Sequence, residues 1–155
     1  MTLTTVAHET FVIERTYDVA VARVFRAWAD PNLKARWFAG SPEALGAGYE
    51  LDFRVGGREV NRGGPPDGPV YIYESRFHDI VPEQRIVYTY EMYADDARIS
   101  VSVATIEFRS EAGATRLVMT EQGVFLDGLD TVVQREEGTR TLLGLLAASL
   151  DQSES

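Results

Sequence analysis

LDTVVQREEGTRTLLGLLAASL, from Leu129 to Leu150, is the segment around which the rest of the chain can be arranged. Wound as an α-helix, it forms an apolar stripe made of Val132, Thr139, Leu143, Leu146 and Leu150, with Leu129, Leu142 and Ala147 at its edges. Glu136 falls inside this stripe. The segments upstream predict short strands, and a sheet that is apolar on one face needs a helix to cover that face. We therefore expect a long C-terminal helix over a sheet, with an incomplete cover that encloses a ligand cavity.

The rest of the chain predicts one strand, two short helices and then a series of antiparallel strands at hairpin spacing. Asp18 is the expected N-cap of the first helix, and Asp30, followed by Pro31, is the expected N-cap of the second. Asn61 to Pro69 is so rich in glycine and proline that it predicts a mobile surface loop. The elements are predicted at Glu9 to Thr16 (strand), Val19 to Ala29 and Asn32 to Phe38 (helices), and Tyr49 to Val55, Val70 to Ile80, Arg85 to Tyr93, Ile99 to Arg109 and Thr115 to Gln122 (strands).

Length and charge indicate one folded domain that does not bind polyanions. We expect a single domain over residues 1–155, with its core at about residues 9–150. The net charge of −9 and the presence of only one lysine, Lys34, disfavour binding to nucleic acid or to an anionic membrane. No apolar run approaches the roughly 20 residues of a membrane span, and Met1 to Thr10 lacks the pattern of a signal peptide. The expectation is a cytoplasmic protein, either a monomer or a homodimer.

Side chains that carry metal or covalent chemistry are scarce. The chain has no cysteine, which excludes disulfides, thiolate nucleophiles and cysteine-based zinc sites. The two histidines, His8 and His78, have no second ligand at helical spacing, so we expect neither a metal nor a cofactor. His78 could serve as a general base, although a solvated histidine at a strand end is the more common case.

Several motifs resemble one known family. They are VFRAWADPNLKARWF (Val24 to Phe38), LDFRVGG (Leu51 to Gly57), IVPEQRIVYTYEM (Ile80 to Met92), ATIEFRSEAGATRLVMTEQG (Ala104 to Gly123) and a glycine inside the final helix. The chain is similar, from about Phe11 to Leu150, to the family related to the activator of the heat-shock protein 90 ATPase, within the START-like, birch-pollen-allergen-like superfamily. The resemblance implies an α+β helix-grip fold, in which a curved antiparallel sheet of about six strands wraps around the long C-terminal helix.

One position departs from the family pattern. Many members have Gly-Trp in the final helix, where this chain has Gly138-Thr139. Because Thr139 lies at the centre of the predicted stripe, we expect an interior that is enlarged or more polar at this point.

Large aromatic residues are the candidate wall of the cavity, since ring faces supply apolar area and hydroxyl groups supply orientation. The same residues would also make an ordinary core. The alternation from Arg85 to Tyr93 places Tyr88 and Tyr90 on one face of their strand, which we take as the concave face. The candidate ligand-binding residues are Trp28, Trp37, Phe38, Phe53, Tyr88, Tyr90, Met92, Glu136, Thr139 and Leu143.

Glu136 is the one candidate that carries a charge. In the cavity it would need a partner such as Arg135, Arg140 or a strand residue, because a carboxylate buried alone costs several kcal/mol or becomes protonated. The alternative is that the first half of the helix extends past the sheet edge, which would leave Glu136 in water.

Three functions follow from this interpretation. The first is a module that binds a small hydrophobic or amphipathic molecule without performing chemistry on it, since no catalytic motif is present. The second, implied by the superfamily, is an enzyme of the cyclase or dehydratase type that uses a cavity acid–base pair such as Glu136 with a tyrosine or His78. The third is a protein-interaction module like the chaperone activator, which an exposed apolar patch on the outer sheet face would support.

Overall fold

The computed structural model describes residues 4–152, which form seven strands and three α-helices. Residues 1–3 and 153–155, which belong to the expected domain, lie outside the described residues. In chain order the elements are β1 (Val6–Tyr17), α1 (Val21–Ala29), α2 (Pro31–Phe38), a short 3-10 helix (Pro42–Ala44), β2 (Tyr49–Leu51), β3 (Arg58–Gly63), β4 (Tyr71–Val81), β5 (Arg85–Ala94), β6 (Ala97–Glu111), β7 (Ala114–Leu126) and α3 (Val132–Leu150).

All seven strands join one curved antiparallel sheet in the order β1-β7-β6-β5-β4-β3-β2. Strands β2 to β7 pair with their neighbours in sequence, whereas β1 crosses over to pair with β7 along its whole length, from Val6↔Leu126 to Tyr17↔Thr115. Side chains alternate between the two faces, so that one face of the sheet is apolar and lies under α3. The predicted α+β helix-grip fold is confirmed, with one strand more than expected.

The additional strand, β3, replaces the start of the predicted loop. The sequence predicts a continuous strand from Tyr49 to Val55, but pairing ends at Leu51. The chain then makes a tight turn, in which a Cβ added at Gly57 would lie 2.1 Å from the Asp52 carbonyl oxygen. Strand β3 follows, with Glu59 buried. An acidic residue on the inner face hides the apolar alternation by which strands are recognised.

Of the two predicted helix N-caps, Asp30 is confirmed and Asp18 is not. The Asp30 carboxylate accepts hydrogen bonds from the backbone N–H groups of Asn32 (2.9 Å) and Leu33 (3.2 Å), as predicted. Helix α1 instead begins after Ala20, and Asp18 does not cap it. Helix α3 begins after Thr131, later than predicted, because the Thr131 hydroxyl accepts from the Gln134 N–H at 3.2 Å. Within residues 4–152, no helix combines the length and the hydropathy needed to cross a membrane.

The C-terminal half of α3 is sealed against the core. Leu143, Leu146 and Leu150 are buried, and α3 contacts β1, α1 and α2. The Tyr17 hydroxyl of β1 donates a hydrogen bond to the Leu143 carbonyl at 3.1 Å. Burial raises the pKa of Tyr17 well above its usual range, so this hydroxyl stays protonated and remains a donor. These contacts fix one end of the helix to the sheet.

A buried ion pair joins α2 to the far edge of the sheet. The Lys34 ammonium lies 3.1 and 2.8 Å from the two Glu59 carboxylate oxygens, and the Tyr49 hydroxyl donates to the same carboxylate at 2.5 Å. The ammonium also lies 4.3 Å from the centre of the Phe38 ring. Burial lowers the pKa of Lys34, and the Glu59 charge opposes that shift. Each partner therefore offsets the cost of burying the other.

Replacing Lys34 by methionine should destabilise the protein by about 3–5 kcal/mol, because the substitution leaves the Glu59 carboxylate buried without its cation. Urea unfolding followed by tryptophan fluorescence measures the loss. The double variant K34M/E59M is the control and should recover part of the stability, since it leaves no unpaired charge. A loss below about 1 kcal/mol in K34M would mean that water reaches the pair.

Candidate functional site

A cavity of about 610 Å³ lies between α3 and the concave face of the sheet. This volume is within the range typical of small-molecule sites. All three helices and strands β3 to β7 contribute to its wall. The lining residues are Trp28, Trp37, Phe38, Asn61, Tyr71, Tyr73, Tyr88, Tyr90, Met92, Ile99, Met119, Glu121, Leu129, Asp130, Gln134, Arg135, Glu137, Gly138, Thr139, Thr141, Leu142 and Leu143.

Most of the sequence candidates line this cavity. They are Trp28, Trp37, Phe38, Tyr88, Tyr90, Met92, Thr139 and Leu143. Strand β5 turns Tyr88 and Tyr90 inward, where both are buried and line the cavity, so the face that carries these two tyrosines is the concave one, as expected. Contact of these side chains with a ligand stays a prediction.

Phe53 lies away from the cavity. It follows the end of β2, and its ring packs edge to face on Phe25 (5.8 Å between ring centres) and Phe77 (5.1 Å). Phe53 therefore belongs to the apolar core beside α1, which corrects its assignment to the candidate wall.

Glu136 is also placed outside the cavity. Its carboxylate is partly exposed and accepts a hydrogen bond from the Arg140 guanidinium at 2.7 Å, one turn further along α3. The buried stripe at this end of the helix runs through Arg135, Thr139 and Leu143, which are spaced four residues apart. The predicted stripe therefore contains Glu136 where the buried stripe contains its neighbour Arg135. The charged side chain that faces the sheet is that of Arg135.

Arg135 is the centre of a buried polar network. Its guanidinium donates hydrogen bonds to the Tyr90 hydroxyl (2.9 Å), the Ser100 hydroxyl (2.7 Å) and the Asp130 carboxylate (2.9 Å). It also lies 3.5 Å from the Glu121 carboxylate. The network thus links α3 to β5, β6 and β7 across the cavity wall.

Glu121 is the buried carboxylate of the site. Its side chain is 1% exposed, and the Tyr90 hydroxyl lies 2.8 Å from both carboxylate oxygens. Burial raises the pKa of Glu121, whereas the Arg135 charge lowers it. Burial, and then the Glu121 charge, raise the pKa of Tyr90 above its usual range, so this phenol keeps its proton. The two residues form a hydrogen-bonded phenol–carboxylate pair at the cavity wall.

The sequence pattern of β7 could have identified Glu121 as a buried carboxylate. In β7 it continues the inward alternation Leu117, Met119, Glu121, and an acidic residue at the apolar face of a strand points to a buried carboxylate. Thr139, by contrast, lies at the cavity as expected, and its hydroxyl donates to the Arg135 carbonyl at 2.9 Å.

His78 lies outside the cavity lining. It is exposed, and its Nε2 is 2.8 Å from the Thr89 hydroxyl oxygen. It therefore cannot act as the base of a reaction inside the cavity. Within the described residues no group of histidine and carboxylate side chains is arranged to hold a metal ion.

Glu121→Gln should change how stability depends on pH. Because the pKa of Glu121 is raised from its ordinary value of 4.5, the folded protein binds this proton more tightly than the unfolded chain. That contribution is complete below the ordinary value and is lost as the pH rises through the raised pKa. The free energy of unfolding of the wild type should therefore fall relative to that of E121Q as the pH is raised. Urea unfolding at a series of pH values checks this, with E136Q as the control; a constant difference for E121Q would contradict the burial of this charge.

Three solved structures share the whole fold. A protein from Rhizobium leguminosarum is 43% identical, with a TM-score of 0.92, over 98% of this chain and 100% of its own. Mll3558 from Rhizobium loti is 46% identical, with a TM-score of 0.87, over 94% of this chain and 99% of its own. CalU16 from Micromonospora echinospora shares the fold at 19% identity, with a TM-score of 0.65, over 96% of this chain and 86% of its own.

A search of curated proteins found no match. The model of the family described as "Activator of Hsp90 ATPase homolog 1-like protein" matches residues 18–151, which include the cavity and all but β1 of the sheet. This chain therefore belongs to the family of activator of Hsp90 ATPase homolog 1-like proteins, within the START-like superfamily.

Proposed function

We propose that this protein binds a small hydrophobic or amphipathic molecule in the cavity between α3 and the sheet. The observation that carries the proposal is the cavity itself, which has a volume of about 610 Å³ and is lined mainly by aromatic and aliphatic side chains. Removing apolar surface from water is favourable by about 25 cal/mol of free energy for each Å². A ligand of matching shape would supply that cover.

The cavity has an opening through which such a ligand can enter. Tyr71 at the start of β4 is 41% exposed and Leu129 before α3 is 51% exposed, although both line the cavity. The deeper lining residues, such as Trp37 and Leu143, are almost fully buried. Exposed apolar side chains at the rim and buried ones inside suit a ligand that enters with its apolar part first.

The polar wall supports a rigid site. Arg135 is held by Tyr90, Ser100 and Asp130 before any ligand arrives. A wall whose polar groups are already bonded loses little conformational freedom on binding, which favours affinity. Apolar contact and shape would then supply most of the binding free energy.

Thr139→Trp should fill the cavity and abolish ligand-dependent thermal stabilisation. Native mass spectrometry of protein purified under mild conditions should detect a bound small molecule in the wild type, and addition of that molecule should raise Tm. Val133→Trp is the matched control, because Val133 is on the same helix but 63% exposed and outside the lining; it should keep the stabilisation. Unchanged stabilisation in T139W would argue against a ligand under α3.

A second function, an acid–base enzyme of the cyclase or dehydratase type, is favoured by one observation. The Tyr90 phenol contacts both Glu121 oxygens, and both residues line the cavity. Tyr90 would make the contact with the substrate, since Glu121 lies behind it with almost no exposed surface. The phenol oxygen would take a proton from a carbon next to a ketone while the phenol's own proton passes to the Glu121 carboxylate, and the reverse transfer would return a proton to that carbon.

The enzyme function has a direct test. Protein is incubated with 4-phenylbutan-2-one in D₂O, and proton NMR follows loss of the signals next to the carbonyl. Acid–base activity at this pair would accelerate the exchange over buffer, and both Tyr90→Phe and Glu121→Gln would remove the acceleration. Equal exchange with and without wild-type protein would count against the enzyme and leave the binding function in place.

The protein-interaction function gains no comparable support. Val12, Val101 and Val103 are exposed on the outer face of the sheet. In the strand register, Val12 of β1 pairs with Thr120 and Val103 of β6 pairs with Gln122, whereas Val101 pairs with the partly exposed Val124. Polar residues of β7 therefore separate Val12 from the valines of β6, and the apolar surface of this face is interrupted.

A further inference from the structure

The charges that line the cavity are unbalanced. Three acidic residues contribute to the lining, Glu121, Asp130 and Glu137, and Arg135 is the only basic residue in the lining among those that the structure describes. Arg135 is engaged with Asp130 and lies beside Glu121. The wall therefore has a negative excess and offers no free cation to a ligand.

The excess negative charge lies at the opening. Glu137 is exposed, and its carboxylate makes no hydrogen bond or ion pair with any residue in the range 4–152. The Asp130 side chain is 15% exposed, compared with 1% for Glu121. Asp130 precedes α3 and Glu137 is in its second turn, so both lie on the rim formed by this end of the helix. An amphipathic ligand with its apolar part inside would leave its head group here.

An aromatic ring at the rim adds to the same preference. Tyr71 lines the cavity and is 41% exposed. The face of an aromatic ring carries partial negative charge and attracts organic cations. The rings of Tyr73 and Tyr90, behind Tyr71, pack on each other at 4.7 Å, and the Arg135 guanidinium already lies 5.5 Å from the centre of the Tyr90 ring. An anionic head group would therefore meet the Tyr71 ring and the carboxylates, with no unpaired basic residue among the described lining residues.

Two basic residues next to lining residues are engaged in ion pairs of their own. Arg140 on α3 pairs with Glu136 on the side of the helix away from the cavity lining. Lys34 lies behind the ring of Phe38, where it is 2% exposed and donates a hydrogen bond to the Glu59 carboxylate. Neither can reach a head group at the rim without breaking its existing ion pair.

We propose that the cavity selects amphipathic organic cations, in which an apolar body carries a protonated amine or a quaternary ammonium group. The apolar body lies among the aromatic residues, and the cationic head lies at the rim near Tyr71, Asp130 and Glu137. This inference rests on the proposed binding function and adds the charge of the ligand to it.

Three probes with the same alkyl chain test the charge preference. Decylamine, decan-1-ol and decanoate are titrated into the protein by calorimetry at pH 7 and low salt, each below its micelle concentration. We expect decylamine to bind most tightly and decanoate most weakly. Added salt should weaken decylamine binding and leave decan-1-ol binding unchanged, because only the charged head is screened.

Glu137→Gln and Glu9→Gln locate the head group. Both carboxylates are exposed, but only Glu137 lines the cavity. E137Q should weaken decylamine binding about threefold, as expected for one partly solvated charge pair, and should change decan-1-ol binding less, because the alcohol carries no charge. E9Q removes the same charge from the protein as a whole, leaves the Glu136–Arg140 ion pair intact and should leave all three affinities unchanged.

Each contrary result identifies what fails. If none of the three probes binds, the proposed binding function is wrong. If decan-1-ol binds but decylamine is not preferred to decanoate, the cavity function stands and the charge preference is wrong. If E9Q weakens decylamine binding as much as E137Q, the overall charge of the protein attracts the amine and the placement of its head at the rim is wrong.

Discussion

The buried guanidinium of Arg135 is the constraint on which the cavity depends. A charge at this depth is tolerated only with partners, because burial without them would cost several kcal/mol. Its partners come from separate strands and from the loop before α3: Tyr90, Ser100, Glu121 and Asp130. Satisfying Arg135 therefore sets the position of the N-terminal half of α3 over the sheet. The C-terminal half has leucines in the equivalent positions and closes on the core instead.

A second buried charge pair completes the frame from the other side. Lys34 and Glu59 join α2 to β3 behind the ring of Phe38, which lines the cavity. The cavity therefore lies between two polar networks that fix its walls. Buried ion pairs contribute little net stability compared with apolar replacements, but they penalise every arrangement that separates the partners. In this protein such a penalty would keep the helices from collapsing onto the sheet. A rigid frame around an apolar interior would suit ligand binding, and the proposed preference for cations places the head group at the acidic rim.

Much of the architecture could be predicted because it depends on local patterns. The later strands followed from alternation and turn residues, and α2 followed from Asp30 and Pro31, whose capping hydrogen bonds are local. Strand β3 was missed because buried Glu59 interrupts its apolar pattern. The aromatic wall was predicted from residue type, but Phe53 and Glu136 were assigned to the wrong surroundings. The position of Phe53 depends on where β2 ends. The position of Glu136 depends on which residues of α3 face the sheet, and the buried stripe contains Arg135 instead.

The sequence by itself determined the fold class and the family, since periodicity and motif spacing are properties of the chain alone. It also indicated that the final helix would be interrupted by polar residues where it covers the sheet. Only the tertiary structure decided that Arg135 is the charged residue of α3 that faces the sheet, that Glu121 lies beside it with the opposite charge, and that Lys34 is buried. These pairs join residues far apart in sequence, and burial makes each partner's position depend on the other. No pattern confined to one segment contains that dependence.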